Sequence, residues 1–82
     1  MGIVIGIDVG GSTTKIVGVE DKKIKNPMFV KATDPVTSLF GAFGKYIYDN
    51  NISLSNIEKV ILTGEGSAYI DQPLYGLPTA KT

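Results

Sequence analysis

Apolar and polar positions along the chain alternate between two periods. Ile3 to Val9 is an almost continuous β-branched run, interrupted by Gly6 and Asp8, and predicts a strand covered on both faces. Gly10-Gly11 forms a turn, and Thr13 to Glu20 returns as a second strand rich in Thr, Ile and Val. After a turn at Asp21-Lys22-Lys23, a weaker third strand opens at Ile24 and runs through Asn26-Pro27 to Phe29, Val30 and Ala32. Its proline predicts a sheet edge or a bulge. The period then changes to that of a helix. Asp34 can cap, Pro35 suits the first helical position, and Val36, Leu39, Phe40, Phe43 and Ile47 recur as one apolar face. Gly41 and Gly44 each cost about 1 kcal/mol against alanine in a helix interior, so a close approach to the sheet is the expected compensation. Beyond the turn-forming YDNNISLSN, Glu58 to Thr63 reads as a buried strand ending on GEGS. The remainder, with two prolines and a glycine, predicts a short helical turn, a loop and one more strand.

Composition narrows what this β-β-β-α-β order can do. Eighty-two residues make one small domain, which buries only about 60 to 65 % of its unfolded surface and so has a thin core. Hydrophobic residues at 43% and charged residues at 20% match ordinary globular usage, and no apolar run reaches the roughly 20 residues that span a bilayer. The start, MGIVIGIDVGG, lacks the basic segment of a signal peptide, which gives a cytoplasmic expectation with no membrane partner. With no cysteine and no histidine, disulfides, thiolate metal sites and Ser-His chemistry are excluded. Eight basic and eight acidic residues cancel, which argues against a nucleic-acid partner.

The candidate chemistry lies in GIDVGGSTTK, residues 6–15. An aspartate inside an apolar strand costs desolvation energy unless something pairs with it. A Walker A loop does not account for it, because Ser12 stands where lysine is needed and a strand follows. A Rossmann fingerprint at Gly64-Glu65-Gly66 fails as well, since Tyr69 occupies the third glycine position. What remains is a phosphate site on a β-hairpin. Gly10 and Gly11 would take positive φ and bring turn N–H groups close to phosphate oxygens. Ser12 and Thr13 would add hydroxyl donors, Lys15 a compact positive charge, and Asp8 would hold a magnesium ion through water or orient an attacking group. The same pattern also suits a plain tight hairpin, in which Asp8 caps the turn and Lys15 is simply exposed.

GIDVGGSTTKIVGV resembles the first phosphate motif of the superfamily that contains actin, the heat-shock chaperone ATPases and the sugar kinases. The resemblance implies an α/β fold, a ribonuclease H-like (actin-like ATPase) β-β-β-α-β half domain that is incomplete. Within that superfamily, VILTGEGSAYIDQPLYGLPT is similar to type II pantothenate kinases, which implies ATP-dependent phosphorylation of pantothenate, the first step of coenzyme A biosynthesis. Asp8 matches the aspartate associated with magnesium and phosphoryl transfer. Gly10, Gly11 and Ser12 match the turn around the ATP phosphates, Thr13 adjoins it, and Lys15 matches a lysine three positions beyond the hydroxyl residue. Thr63, Gly64 and Gly66 match the turn after the fourth strand, at the substrate end of the cleft. Glu65 and Ser67 depart from the commonest glycine-rich version of that turn. The family's catalytic glutamate is expected beyond Thr82, and Glu65 is a weaker substitute for it.

The resemblance therefore implies that residues 1–82 are the N-terminal part of the first lobe, with the second lobe absent, and that ATP and Mg2+ bind in the parent enzyme. A sugar kinase is the nearest enzymatic alternative. A non-kinase ATPase, such as a chaperone-like protein or a dehydratase activator, is the other class. Activators of that kind usually carry iron-sulfur cysteines, which would have to lie past residue 82. The 82 residues by themselves are expected to be inactive, and an uncovered sheet face and edge predict a homo-oligomer. Lys22, Lys23 and Lys25 read as a solvated turn, and the four tyrosines, Tyr46, Tyr48, Tyr69 and Tyr75, as packing residues.

Overall fold

A computed structural model of the chain describes residues 2–31 and 34–82. Strands β1 (Ile3–Val9), β2 (Thr13–Glu20) and β3 (Lys23–Lys31) lead into helix α1 (Pro35–Asp49), then β4 (Ile57–Thr63) and a short β5 (Thr79–Lys81). Ala32, expected at the end of the third strand, lies outside the described residues, as do Met1 and Thr33. One five-stranded sheet has the order β3-β2-β1-β4-β5. The two hairpin pairs are antiparallel, whereas β1 runs parallel to both its neighbour β4 and, through it, β5. A parallel neighbour requires a crossover, and α1 provides it.

Local signals explain the ends of the helix. The Asp34 carboxylate accepts from the Thr37 N–H at 2.8 Å, with Pro35 following as the first helical residue. That backbone hydrogen bond, the larger cause, and the side-chain contact with Thr37 hold the Asp34 carboxyl below its ordinary range. At the other end Asn51 takes a left-handed φ of 54°, so the Ile52 N–H reaches back to Ile47 O at 2.8 Å and the Asn51 N–H to Tyr48 O at 3.3 Å. These are the two bonds of a Schellman motif, with asparagine in place of glycine. The Asp21-Lys22 turn has positive φ at both residues, the geometry that matches strand twist in a two-residue hairpin.

Burial alternates along β1: Ile3, Ile5, Ile7 and Val9 are buried, while Val4, Gly6 and Asp8 are partly exposed. The expectation of a strand covered on both faces is therefore corrected. The described residues cover one face, where α1 packs through Leu39, Ala42, Phe43 and Tyr46. Each large apolar side chain enclosed there contributes about 1.5 to 3 kcal/mol. The buried face of α1 is rotated relative to the expected one. Val36 is exposed and Phe40 and Ile47 only flank the core, while Ala42 and Tyr46 are enclosed. The close approach expected at Gly41 and Gly44 is absent. A Cβ at Gly41 would meet nothing within 4 Å, and at Gly44 only the Tyr75 hydroxyl at 3.9 Å.

β3 is an edge strand carrying Pro27, and it also bulges. Ile16 pairs with Met28 and Gly18 with Lys25, so Asn26 and Pro27 together oppose Val17. Tyr46 sits at this irregularity. Its hydroxyl accepts from the buried Gly18 N–H at 2.8 Å and donates to Lys25 O at 3.2 Å, tying α1 to two strands. Two short 3-10 turns, Glu65–Tyr69 and Leu74–Gly76, link β4 to β5. In the second, Tyr75 takes φ 51° while its ring stacks on Phe43 at 5.3 Å and meets Phe40 edge-on at 5.8 Å. A left-handed tyrosine costs about 1 to 2 kcal/mol and each aromatic contact returns about 0.5 to 1.5 kcal/mol, so the pair of contacts offsets the backbone.

Candidate functional site

The two segments singled out in the sequence meet at one end of the sheet, at the C-terminal ends of the adjacent parallel strands β1 and β4. Strand register sets the first group. Asp8 lies opposite Lys15 on β2 and opposite Thr63 on β4, and Lys15 lies opposite Phe29 on β3. Residues directly opposite share a face, so Phe29, Lys15, Asp8 and Thr63 form a row across the open face of the sheet. This placement resolves the cost of the aspartate: Asp8 stands on the open face, partly exposed, and not in the core. No ion pair joins Asp8 to Lys15. The Lys15 ammonium lies over the Phe29 ring instead, 5.9 Å from its centroid. Beneath the row, a concavity of about 440 Å3 is floored by Gly6, Val17, Ile61 and Pro27.

The second group is the pair of loops above that row. In the β1–β2 turn, the Gly10 N–H donates to Thr13 O at 3.0 Å and closes the hairpin. Neither Gly10 nor Gly11 has positive φ, which corrects the expectation for both. Space is what excludes a side chain at Gly10, since a Cβ there would lie 2.8 Å from Thr13 O. Gly10 N–H is therefore committed to the hairpin, while the N–H groups of Gly11 and Ser12 and the hydroxyls of Ser12 and Thr13 have no hydrogen-bond partner among the described residues. The Asp8 carboxylate caps no described turn.

After β4, Gly64 has φ 92°, and a Cβ on it would collide with the Asp8 carboxylate and stand 2.5 Å from Val9 O. Only glycine fits on both counts. A Cβ on Gly66 would come within 2.6 Å of Val9 Cγ1 and 3.2 Å of Pro35 Cβ. Ser67 is buried and spends its hydroxyl on Gly64 O at 2.7 Å, parallel to its own N–H at 3.1 Å, so its role is to close the turn. Glu65 is left exposed between the glycines. Its Oε1 lies 2.6 Å from the place where a Gly11 Cβ would stand, which puts its carboxylate over the β1–β2 turn. A hollow of about 380 Å3 separates the two loops, lined by Gly10, Gly11, Glu65, Gly66, Tyr69 and Pro35.

Sequence reasoning missed three participants. Phe29 was legible from strand alternation, being opposite Lys15. Pro35 and Tyr69 had no local signal, because only packing brings the start of α1 and the β4 loop beside the turn. Thr14, between the turn and the core, is fully buried, and its hydroxyl has no hydrogen-bond partner among the described residues. A magnesium ion fits the donors in one way only. Among the described residues no three His, Cys, Asp or Glu side chains gather. An ion at Asp8 would thus draw most of its oxygen ligands from water and phosphate, which is the usual habit of Mg2+.

No family model matches the chain, and no curated protein matches it. Solved structures do. An activator of the 2-hydroxyisocaproyl-CoA dehydratase from Clostridium difficile, with bound ADPNP, superposes at TM-score 0.77 and 18% identity over 95% of this chain. Component A of the (R)-2-hydroxyglutaryl-CoA dehydratase from Acidaminococcus fermentans does so at TM-score 0.73 and 21% identity over 100% of it. A Ppx/GppA phosphatase from Aquifex aeolicus matches at TM-score 0.53 and 13% identity, again over 100%. The chain spans 28%, 30% and 36% of those proteins' respective lengths. Its mixed sheet with one helix is thus a half domain of the ribonuclease H-like, actin-like ATPase fold. Among the described residues, no helix is long and apolar enough to cross a membrane.

Proposed function

We propose that the chain forms the phosphate side of an ATP-binding cleft in an actin-like ATPase, and that residues 1–82 are the N-terminal part of its first lobe. The observation that carries this reading is the close packing of Gly64 against the end of β1. Gly64 admits no side chain against Asp8 and Val9, so the β4 turn begins directly against β1 and faces the β1–β2 turn across the hollow before any ligand arrives. Preorganised donors are what phosphate binding requires, because reorganising them would use up the binding energy. The Gly11 and Ser12 N–H groups, with the Ser12 and Thr13 hydroxyls, take the phosphate oxygens. Lys15, released from Phe29, supplies positive charge. Asp8 holds Mg2+ through water, which neutralises phosphate charge.

The ADPNP-bound activator supports a non-kinase ATPase as the first reading of the whole protein. Pantothenate phosphorylation is the second, supported by the similarity of VILTGEGSAYIDQPLYGLPT and by none of the three structures named above. Both place ATP on the same turn. In 15N NMR of the 82-residue chain, MgATP should shift the Gly11 and Ser12 amides, weakly because the chain holds only one wall of the cleft. Asp8→Asn, which removes charge with little change in volume, should weaken that binding at least fivefold while the far-UV spectrum stays the same. Unaltered affinity would refute the role of Asp8. ATP hydrolysis without pantothenate, against pantothenate-dependent ADP release, separates the two readings in a protein that continues past residue 82.

A further inference from the structure

Glu65 presents a carboxylate to a turn whose proposed ligand is an anion. Its position is imposed by the fold: Gly64 and Gly66 lie too close to Val9 for either to carry a side chain, and the Ser67 hydroxyl ties the turn shut at 2.7 Å. The backbone of Glu65 is therefore held, and the side chain extends over Gly11. Among the described residues it forms no salt bridge, and the lysine of the site, Lys15, is engaged 5.9 Å above the Phe29 ring. Asp8 adds a second carboxylate against Gly64. The Glu65 carboxylate thus stands at the hollow between the two loops, directly over Gly11, while Asp8 and Lys15 stand on the open face of the sheet.

We propose that Glu65 is a specificity-determining residue that makes polyphosphate binding at the Gly10–Lys15 turn conditional on a divalent cation. This rests on the phosphate-turn reading above. ATP free of metal carries close to four negative charges and is repelled by Glu65 as well as Asp8. Complexed with Mg2+ it carries about half that charge, so the repulsion falls in proportion. Glu65 acts through this field and takes no part in coordinating the ion.

The test is 15N NMR titration of the 82-residue chain with ATP, in EDTA and in excess Mg2+, at one ionic strength, for the wild type and Glu65→Gln. The substitution removes charge and retains length, and an exposed side chain with no hydrogen bond to a described residue leaves the fold intact. In EDTA, Glu65→Gln should bind ATP at least fivefold more tightly than the wild type. In Mg2+ the advantage should shrink to about twofold or less, read from the Gly11 and Ser12 amides. Equal affinities for the two proteins in EDTA, with MgATP still shifting those amides, would overturn the inference and leave the phosphate turn standing. Weaker MgATP binding by Glu65→Gln would also overturn it, by making Glu65 a ligand. If MgATP moves neither amide in the wild type, the phosphate turn fails and the inference falls with it.

Discussion

Replacing Tyr46 by phenylalanine deletes one oxygen and keeps the ring, so it separates hydrogen bonding from packing. The oxygen has two bonds in the structure, from the Gly18 N–H at 2.8 Å and to Lys25 O at 3.2 Å. Gly18 N–H is buried beside the β2–β3 bulge, where the strand ladder is broken, so water has no easy path to it. An orphaned buried donor costs about 1 to 3 kcal/mol, and the half-buried carbonyl adds about 0.5 to 1 kcal/mol. No cavity forms, since the ring remains among Ile5, Phe43 and the strands. The expected loss is about 2 to 3 kcal/mol. An 82-residue chain has about 4 to 12 kcal/mol in total, so this is a large share of its stability. Urea unfolding followed by far-UV circular dichroism should show a lower midpoint at unchanged slope, and each kcal/mol should lower Tm by about 4 to 8 °C. Tyr48→Phe is the control, because Tyr48 is 83% exposed and its hydroxyl forms no hydrogen bond to a described residue. A loss below about 0.5 kcal/mol for Tyr46→Phe, or one equal to that of Tyr48→Phe, would refute the argument that the bulge depends on this hydroxyl.

Two further substitutions test opposite ends of the glycine argument. Gly64→Ala combines a positive φ with a Cβ only 2.5 Å from Val9 O, and should destabilise the chain by about 3 kcal/mol or more in the same urea assay. It should also abolish the amide shifts caused by MgATP at Gly11, whereas retained stability would mean that the β4 turn is not packed against β1 as described. Gly41→Ala, by contrast, should stabilise by about 0.5 to 1 kcal/mol, because a methyl group there meets nothing and the helix gains propensity. A destabilised Gly41→Ala chain would restore the close approach that the geometry excludes.

β1, β2 and both ends of α1 were legible in the chain itself, for a common reason: they depend on residues within about five positions of each other. Asp34-Pro35 starts the helix, Asn50-Asn51 stops it, Gly10-Gly11 turns the chain, and Pro27 marks an edge or a bulge. The residue types of the proposed phosphate turn were legible on the same ground, since hydroxyls, glycines and a lysine beside a strand carry their chemistry with them. What tertiary structure decided is everything that depends on distant partners. Asp8 could be read as a buried charge until α1 packed against the opposite face of β1 and left the aspartate on the open one. Tyr46 could be read as an ordinary packing residue until its hydroxyl met Gly18, 28 positions away, at a break in the ladder. Gly64 and Glu65 took their positions against Asp8, Val9 and Gly11 only when β4 came to lie parallel to β1. That pairing brings the end of one strand against the turn of another, and parallel neighbours are chosen by the crossover and the core it buries, with no signal in either segment alone.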